Sequence, residues 1–314
     1  MSKPAALRRL LTRFLARKPM RSTSLIITLF GDVVSQHGHT IWLGSLVQAL
    51  APLGVNERLV RTSVFRLVKE GWLEAERVGR RSYYRFSTHG NAEYERAARR
   101  IYATEDTSWE GHWQILVPLA IPDRDREDFR RSLGWQGFRN IANGTFAKPG
   151  AGGRALRETL EEFDASDKVM VFDATSSRLA SPQLLRKMVH ECWQLEQTAA
   201  AYRAFLGDFK PLYKWLQQEQ TLTPETAFII RTLLIHDYRR VLLHDTPLPE
   251  ELLPPGWPGA EAQALTGAMY KTLAQPSMHH ITSTLKAGNG PMPAAGKGFA
   301  ARFPGFGPIP TSGT

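Results

Sequence analysis

Apolar residues in the segment 7–15 (LRRLLTRFL) recur at helical spacing, at Leu7, Leu10, Leu11, Phe14 and Leu15, with Arg8, Arg9, Arg13, Arg17 and Lys18 around them. This pattern predicts a basic amphipathic arm over 1–21, packed on its own domain or on a partner subunit. A mitochondrial transit peptide shares the Arg-rich, acid-poor composition, but nothing before Ser22 resembles a processing site. From 22 to 90 three helical patterns follow one another. The first is capped by Ser22 and Thr23 and runs to about 37, where QHGH breaks it. The second covers 43–51 and stops at Pro-Leu-Gly, and the third is capped by Asn56 and runs to about 70, before Gly71. Strand patterns at 72–77 and 80–86 flank Val78-Gly79 and predict a hairpin. Three helices closed by a basic hairpin predict a winged helix-turn-helix DNA-binding domain over 22–90, followed by a linker helix over 91–108.

Strand and helix patterns alternate over 109–175: a strand near 113–120, a helix near 124–134, two strands within 137–148 split by Asn143-Gly144, a helix near 154–163 and a strand near 168–173. That order predicts a ferredoxin-like middle domain. Residues 181–286 read as an α-helical C-terminal domain. Residues 288–314, with 7 Gly and 5 Pro, read as a disordered tail. The expected fold class is therefore α+β, multidomain.

Composition narrows the function. With 314 residues, 42 % hydrophobic, the chain is long enough for two or three domains. No apolar run reaches the ~18 residues of a membrane helix. The single cysteine, Cys192, excludes an intramolecular disulfide framework and any CxxC site, which favours a cytoplasmic setting. The net charge of +10 is unevenly placed: residues 1–100 hold 18 Lys and Arg against 7 Asp and Glu, whereas the remainder holds 22 against 23. A basic block on a neutral body points to a polyanion partner for the first hundred residues and another task for the rest.

In the third helix Val60, Val64, Leu67 and Val68 share one face, while Arg58, Thr62, Arg66 and Lys69 share the other, with Arg61 at its edge. The short turn before it contains Gly54, as a helix-turn-helix requires. Arginine reads guanine bidentately, and Thr62 and Ser63 are short enough to approach a base edge or a phosphate. The hairpin adds Arg77, Arg80 and Arg81 with Tyr83 and Tyr84, a grouping suited to phosphate or minor-groove contact. Strand alternation turns one of the two tyrosines inward.

The segments SLIITLFGD (24–32), IWLGSL (41–46), LGVNERLVRTSVFRLVKEGWL (53–73) and GRRSYYRFS (79–87) resemble the PaaX repressors of bacterial phenylacetate catabolism. The likeness continues through LGWQGFRNIANGTFAKP (133–149), CWQLEQ (192–197), LLIHDYRR (233–240) and LPEELLP (248–254). It implies a non-enzymatic repressor with a winged helix, a middle domain similar to the Cas2 fold and a helical C-terminal domain. It further implies a homodimer on palindromic operator DNA, no cofactor, and release by the effector phenylacetyl-coenzyme A. For that effector Arg239 and Arg240, with His236 and Tyr238, are candidate phosphate partners. Trp135 and Phe138, or Trp193 and Tyr202, are candidate walls for the phenyl group. The alternative reading is a metal-dependent nuclease or phosphohydrolase with a DNA-targeting winged helix. It would use the pairs His236-Asp237 and His244-Asp245, or Asp123 and Asp125 as Mg²⁺ ligands, none of which forms a full ligand set.

Overall fold

The computed structural model describes residues 4–17, 22–102, 109–150, 153–176, 181–218, 222–243, 245–288, 290–300 and 302–303. The chain divides into two compact units, one formed by 1–105, 202–242 and 259–314, the other by 106–201 and 243–258. In chain order the first unit begins with α1 (Ala5–Ala16) and α2 (Ser22–Asp32), followed by β1 (Ile41–Trp42), α3 (Leu43–Leu50), α4 (Glu57–Lys69), the hairpin β2 (Leu73–Val78) and β3 (Arg81–Phe86), and α5 (Thr88–Tyr102). The strands form an antiparallel sheet of order β1-β3-β2. In α1 Leu7, Leu10, Leu11 and Phe14 are buried on the helix's own unit, whereas Leu15 is exposed. Phe14 meets the His236 ring edge-on at 5.7 Å, Arg17 Nη2 donates to Asp237 at 2.9 Å, and Arg13 pairs with Asp208. Lys18 lies outside the described residues.

The second unit holds β4 (His112–Pro118), α6 (Asp123–Trp135), β5 (Arg139–Ala142), β6 (Thr145–Pro149), α7 (Arg154–Glu162), β7 (Val169–Thr175) and α8 (Pro182–Cys192). Its sheet is antiparallel throughout, with order β5-β6-β4-β7, so β4 is central and β7 an edge. The strand alternation sorts two cores. Leu116 and Phe146 pack with Phe129 and Leu133 of α6 and Leu156 of α7 on one face. Trp113 and Ala147 pack with Val189, Trp193, Leu195 and Leu252 on the other. Residues 181–201 and 243–258, expected to belong to the helical domain, are thus parts of this second unit.

The remaining elements are α9 (Leu195–Gln218), α10 (Pro224–Leu242), α11 (Pro258–Thr284) and a short hairpin of β8 (Lys286–Ala287) and β9 (Gly290–Pro291). Both α2 and α10 are buried nearly all round, the signature of interior helices, and they pack together in the first unit. Gly31 permits that density: a Cβ there would lie 1.8 Å from the Tyr94 ring.

At the end of α2, Asp32 is sealed from solvent and holds two guanidiniums. Arg231 Nε donates to Oδ2 and Arg302 Nη1 to Oδ1, both at 2.8 Å, while the hydroxyls of Tyr102 and Tyr270 each donate to Oδ1 at 2.8 Å. Burial by itself would raise the carboxyl's pKa, but the two arginines and the Tyr102 hydroxyl hold it below its ordinary value. Arg302 comes from the segment predicted to be a disordered tail, and here the expectation fails over the described residues. Met292, Phe299, Arg302 and Phe303 are buried, Gly296 N–H donates to Gln36 O at 2.8 Å, and Phe303 N–H donates to Tyr102 O at 2.9 Å. Glycine makes ordering this segment costly in entropy, and the composition does not show the four buried anchors that offset that cost.

Candidate nucleic-acid interface

Between α3 and α4 the chain turns through Gly54, whose φ of 77° is a left-handed conformation that glycine adopts without strain. Asn56 then caps α4, its Oδ1 accepting the Leu59 N–H at 2.9 Å. Val60, Val64 and Leu67 are buried and seat the helix, leaving Arg58, Arg61, Thr62, Arg66 and Lys69 exposed. Ser63, expected at the DNA, is instead buried and bonded to the Ser22 hydroxyl at 2.6 Å. Three residues after Val60 it falls on the same face, so the periodicity itself contained the correction. Arg61 pairs with Glu57 at 2.7 Å and Arg66 with Glu70 at 2.6 Å, both one turn away and exposed. Such pairs contribute ~0–1 kcal/mol, so exchanging a carboxylate for a phosphate or a base edge costs little. Phe65 was missed from the sequence. It is 73 % exposed, amid the cations of the outer face.

The hairpin projects Arg77, Arg80 and Arg81, all exposed. Arg81 stacks over Trp42 at 5.2 Å, and Arg77 Nε donates to Gly79 O at 3.3 Å, bracing the tip. Tyr83 does not face outward as expected. It is 5 % exposed and opposite Trp42 in the register, whereas its neighbour Tyr84 is half-buried. Alternation puts Tyr84 on the face of Ile41, Leu73 and Phe86, and Tyr83 on the opposite face with Trp42 and Arg81, where Lys286, Ala287 and Pro291 lie beside it.

The anticipated effector residues divide between the two units. In the second unit Trp135 is 76 % exposed, while Phe138 belongs to the core beneath α6 and Trp193 to the cluster around Trp113. In the first unit Tyr202, His236 and Arg239 are buried and Arg240 is exposed. His236 Nδ1 lies 3.2 Å from the Thr28 hydroxyl and burial pushes its pKa down to about 4; Arg239 Nη1 donates to the Ser24 hydroxyl at 3.3 Å. These contacts tie α10 to α2. A cleft of about 610 Å³ in the first unit is lined instead by Arg85, Phe86, Tyr94, Arg99, Tyr102 and Arg302, among others.

The enzymatic residues fare no better. Asp123 pairs with Arg126 at 2.7 Å and Asp125 with Arg124 at 3.2 Å, and Asp237 is held by Arg17. His244 lies outside the described residues. Among the described residues no three His, Cys, Asp or Glu side chains converge to hold a metal ion, and no helix is long and apolar enough to cross a membrane.

A cationic helix face beside an arginine-tipped hairpin, on a mixed helix-and-sheet chain, is the arrangement of a protein that binds a polyanion. Comparison with known proteins is in accord. Residues 21–90 match the model of a PaaX-like protein, residues 106–186 that of a PaaX protein central Cas2-like domain, and residues 193–283 that of a PaaX-like protein C-terminal domain. The chain is 40 % identical over 289 residues to the transcriptional repressor PaaX of Escherichia coli strain K12, covering 92 % of each chain. The solved structure of the uncharacterized protein Rv0674 from Mycobacterium tuberculosis aligns with a TM-score of 0.48 and 24 % identity, over 74 % of this chain and 90 % of that one. The chain belongs to the PaaX family, whose named relative is a regulator and not an enzyme.

Proposed function

We propose that this protein is a transcriptional repressor of phenylacetate catabolic genes, binding palindromic operator DNA as a homodimer and released by phenylacetyl-coenzyme A. In this reading residues 22–90 are a winged helix-turn-helix, with α4 as the recognition helix and β2–β3 as the wing, and the second unit is ferredoxin-like. The observation that carries it is the division of α4 into a buried Val60, Val64, Leu67 face and an outer face of Arg58, Arg61, Thr62, Arg66 and Lys69. Arg77, Arg80 and Arg81 then serve phosphates.

One such module is small for tight specific binding, so two are needed, on half-sites ~34–36 Å apart or a multiple of that. Support for a second copy comes from the edge strand β7, where Met170, Val171 and Phe172 are all at least 40 % exposed. For the effector, the cleft lined by Phe86, Tyr94, Tyr102, Arg85 and Arg99 offers rings and cations in one place. Its position beside β3 would couple occupancy to the wing. The operator region upstream of phenylacetate genes is the test. The full chain should bind it at nanomolar concentration with a steep salt dependence, and phenylacetyl-coenzyme A, but not free phenylacetate, should release it. Binding with no preference for that DNA, or turnover of it in Mg²⁺, would overturn the reading.

A further inference from the structure

The outer face of α4 carries one large apolar side chain where packing gives no reason for it. Phe65 is 73 % exposed and stands one helical turn after Arg61 and Thr62 and one turn before Lys69, all exposed. The phenyl ring forfeits the burial that a core position would provide, although the helix already has its inward residues in Val60, Val64 and Leu67. Its cationic surroundings indicate what covers it. The buried centre of a protein–protein contact is depleted in charge, whereas a nucleic-acid surface combines dense phosphates with base edges. In the major groove the apolar group on those edges is the C5-methyl of thymine, which a Phe side chain can contact.

We propose that Phe65 is a base-reading residue that packs against the C5-methyl of one or two thymines in each half-site. The inference rests on the reading of α4 as the recognition helix. It divides the labour on that face: Arg58 and Lys69, which make no ion pair among the described residues, hold phosphates or guanine, and Phe65 selects thymine without a hydrogen bond.

Operators would be selected from a random duplex pool with the full-length protein, and each thymine then replaced singly by deoxyuridine, which deletes only the methyl. At one or two positions per half-site the wild type should lose about fourfold in affinity, the equivalent of one buried methyl group. Phe65→Ala should bind the parent operator more weakly and be indifferent to deoxyuridine at those same positions. Phe65→Leu should retain part of the discrimination. Because the ring is exposed, the melting temperature of Phe65→Ala should match the wild type, confirming that folding is intact. Wild-type indifference to every substitution, or an unchanged deoxyuridine penalty in Phe65→Ala, would overturn the proposal while leaving DNA binding itself standing. Failure of the wild type to select any duplex would overturn the recognition-helix reading beneath it. A DNA-free dimer lost only in Phe65→Ala would assign the ring to protein contact and overturn the proposal as well.

Discussion

Replacing Asp32 by Asn tests the centre of the first unit. Asp32 is the one carboxylate bonded to both Arg231 and Arg302, and three tyrosine hydroxyls contact the same cluster, so the buried group already carries one excess positive charge. Asn preserves the shape and one oxygen acceptor but removes the carboxylate that both guanidiniums share. Breaking a single buried pair by deleting one partner costs ~3–5 kcal/mol, and here two guanidiniums lose their partner together, which places the expected loss at the top of that range. Arg302→Met should cost less, ~1–2 kcal/mol. It removes the excess charge and leaves Asp32 with Arg231 as a neutral pair, at the expense of hydrogen bonds to Asp32 O and Oδ1, Gly31 O and the Tyr94 and Tyr270 hydroxyls. Because the chain has two units, global melting mixes their transitions, whereas amide exchange in α2 and α10 reads this one. Protection there should fall far more in Asp32→Asn than in Arg302→Met, and the double variant should lose less than the two singles added together. A loss below ~1 kcal/mol for Asp32→Asn, or a larger loss for Arg302→Met, would refute the charge argument.

The other expectations concern acid, salt, the arm and the edge strand. Burial pushes the pKa of His37 and His236 down to about 4, so the fold excludes protons that the unfolded chain binds below ~6.5. Stability should therefore decline as pH falls from ~6.5 to ~4, by about 1.4 kcal/mol per pH unit per histidine, and His236→Gln should reduce that slope in urea titrations. Asp32, held below its ordinary value, contributes stability that is lost only at lower pH still, as the pH falls through its folded value. Arg80→Glu should lower specific and non-specific DNA affinity together and flatten the salt dependence; a loss confined to specific binding would mean the wing reads bases. Phe14→Ala should cost ~3–5 kcal/mol of stability, since the ring is 5 % exposed, without altering operator preference. Phe172→Glu on β7 should yield monomers by sedimentation and weaken operator binding, and an undisturbed dimer would exclude that edge as the interface.

The sequence by itself determined what local rules can determine. Period and caps placed α4 within a residue of its ends, and the two-residue turns placed both hairpins, because helix caps and glycine-containing turns act over a few neighbouring residues. The outer face of α4 was legible for the same reason, apart from Ser63, which falls on the face of Val60, and Phe65, which the polar pattern of that face left out. Only the tertiary structure decided the rest. Asp32 lies 199 residues from Arg231 and 270 from Arg302, so nothing near it announces an ion-pair centre, and a Gly/Pro-rich tail gives no local sign that Phe299, Arg302 and Phe303 will be buried. Alternation separated Tyr83 from Tyr84, but only the fold placed Lys286, Ala287 and Pro291 of the distant β8–β9 hairpin beside Tyr83. His236 and Arg239 carry the residue types of a ligand site, yet the interior packing of α10 on α2 spends their hydrogen bonds on Thr28 and Ser24. Residue type and spacing state which interactions are available; whether a side chain meets solvent, a ligand or the far end of its own chain depends on contacts between segments hundreds of residues apart.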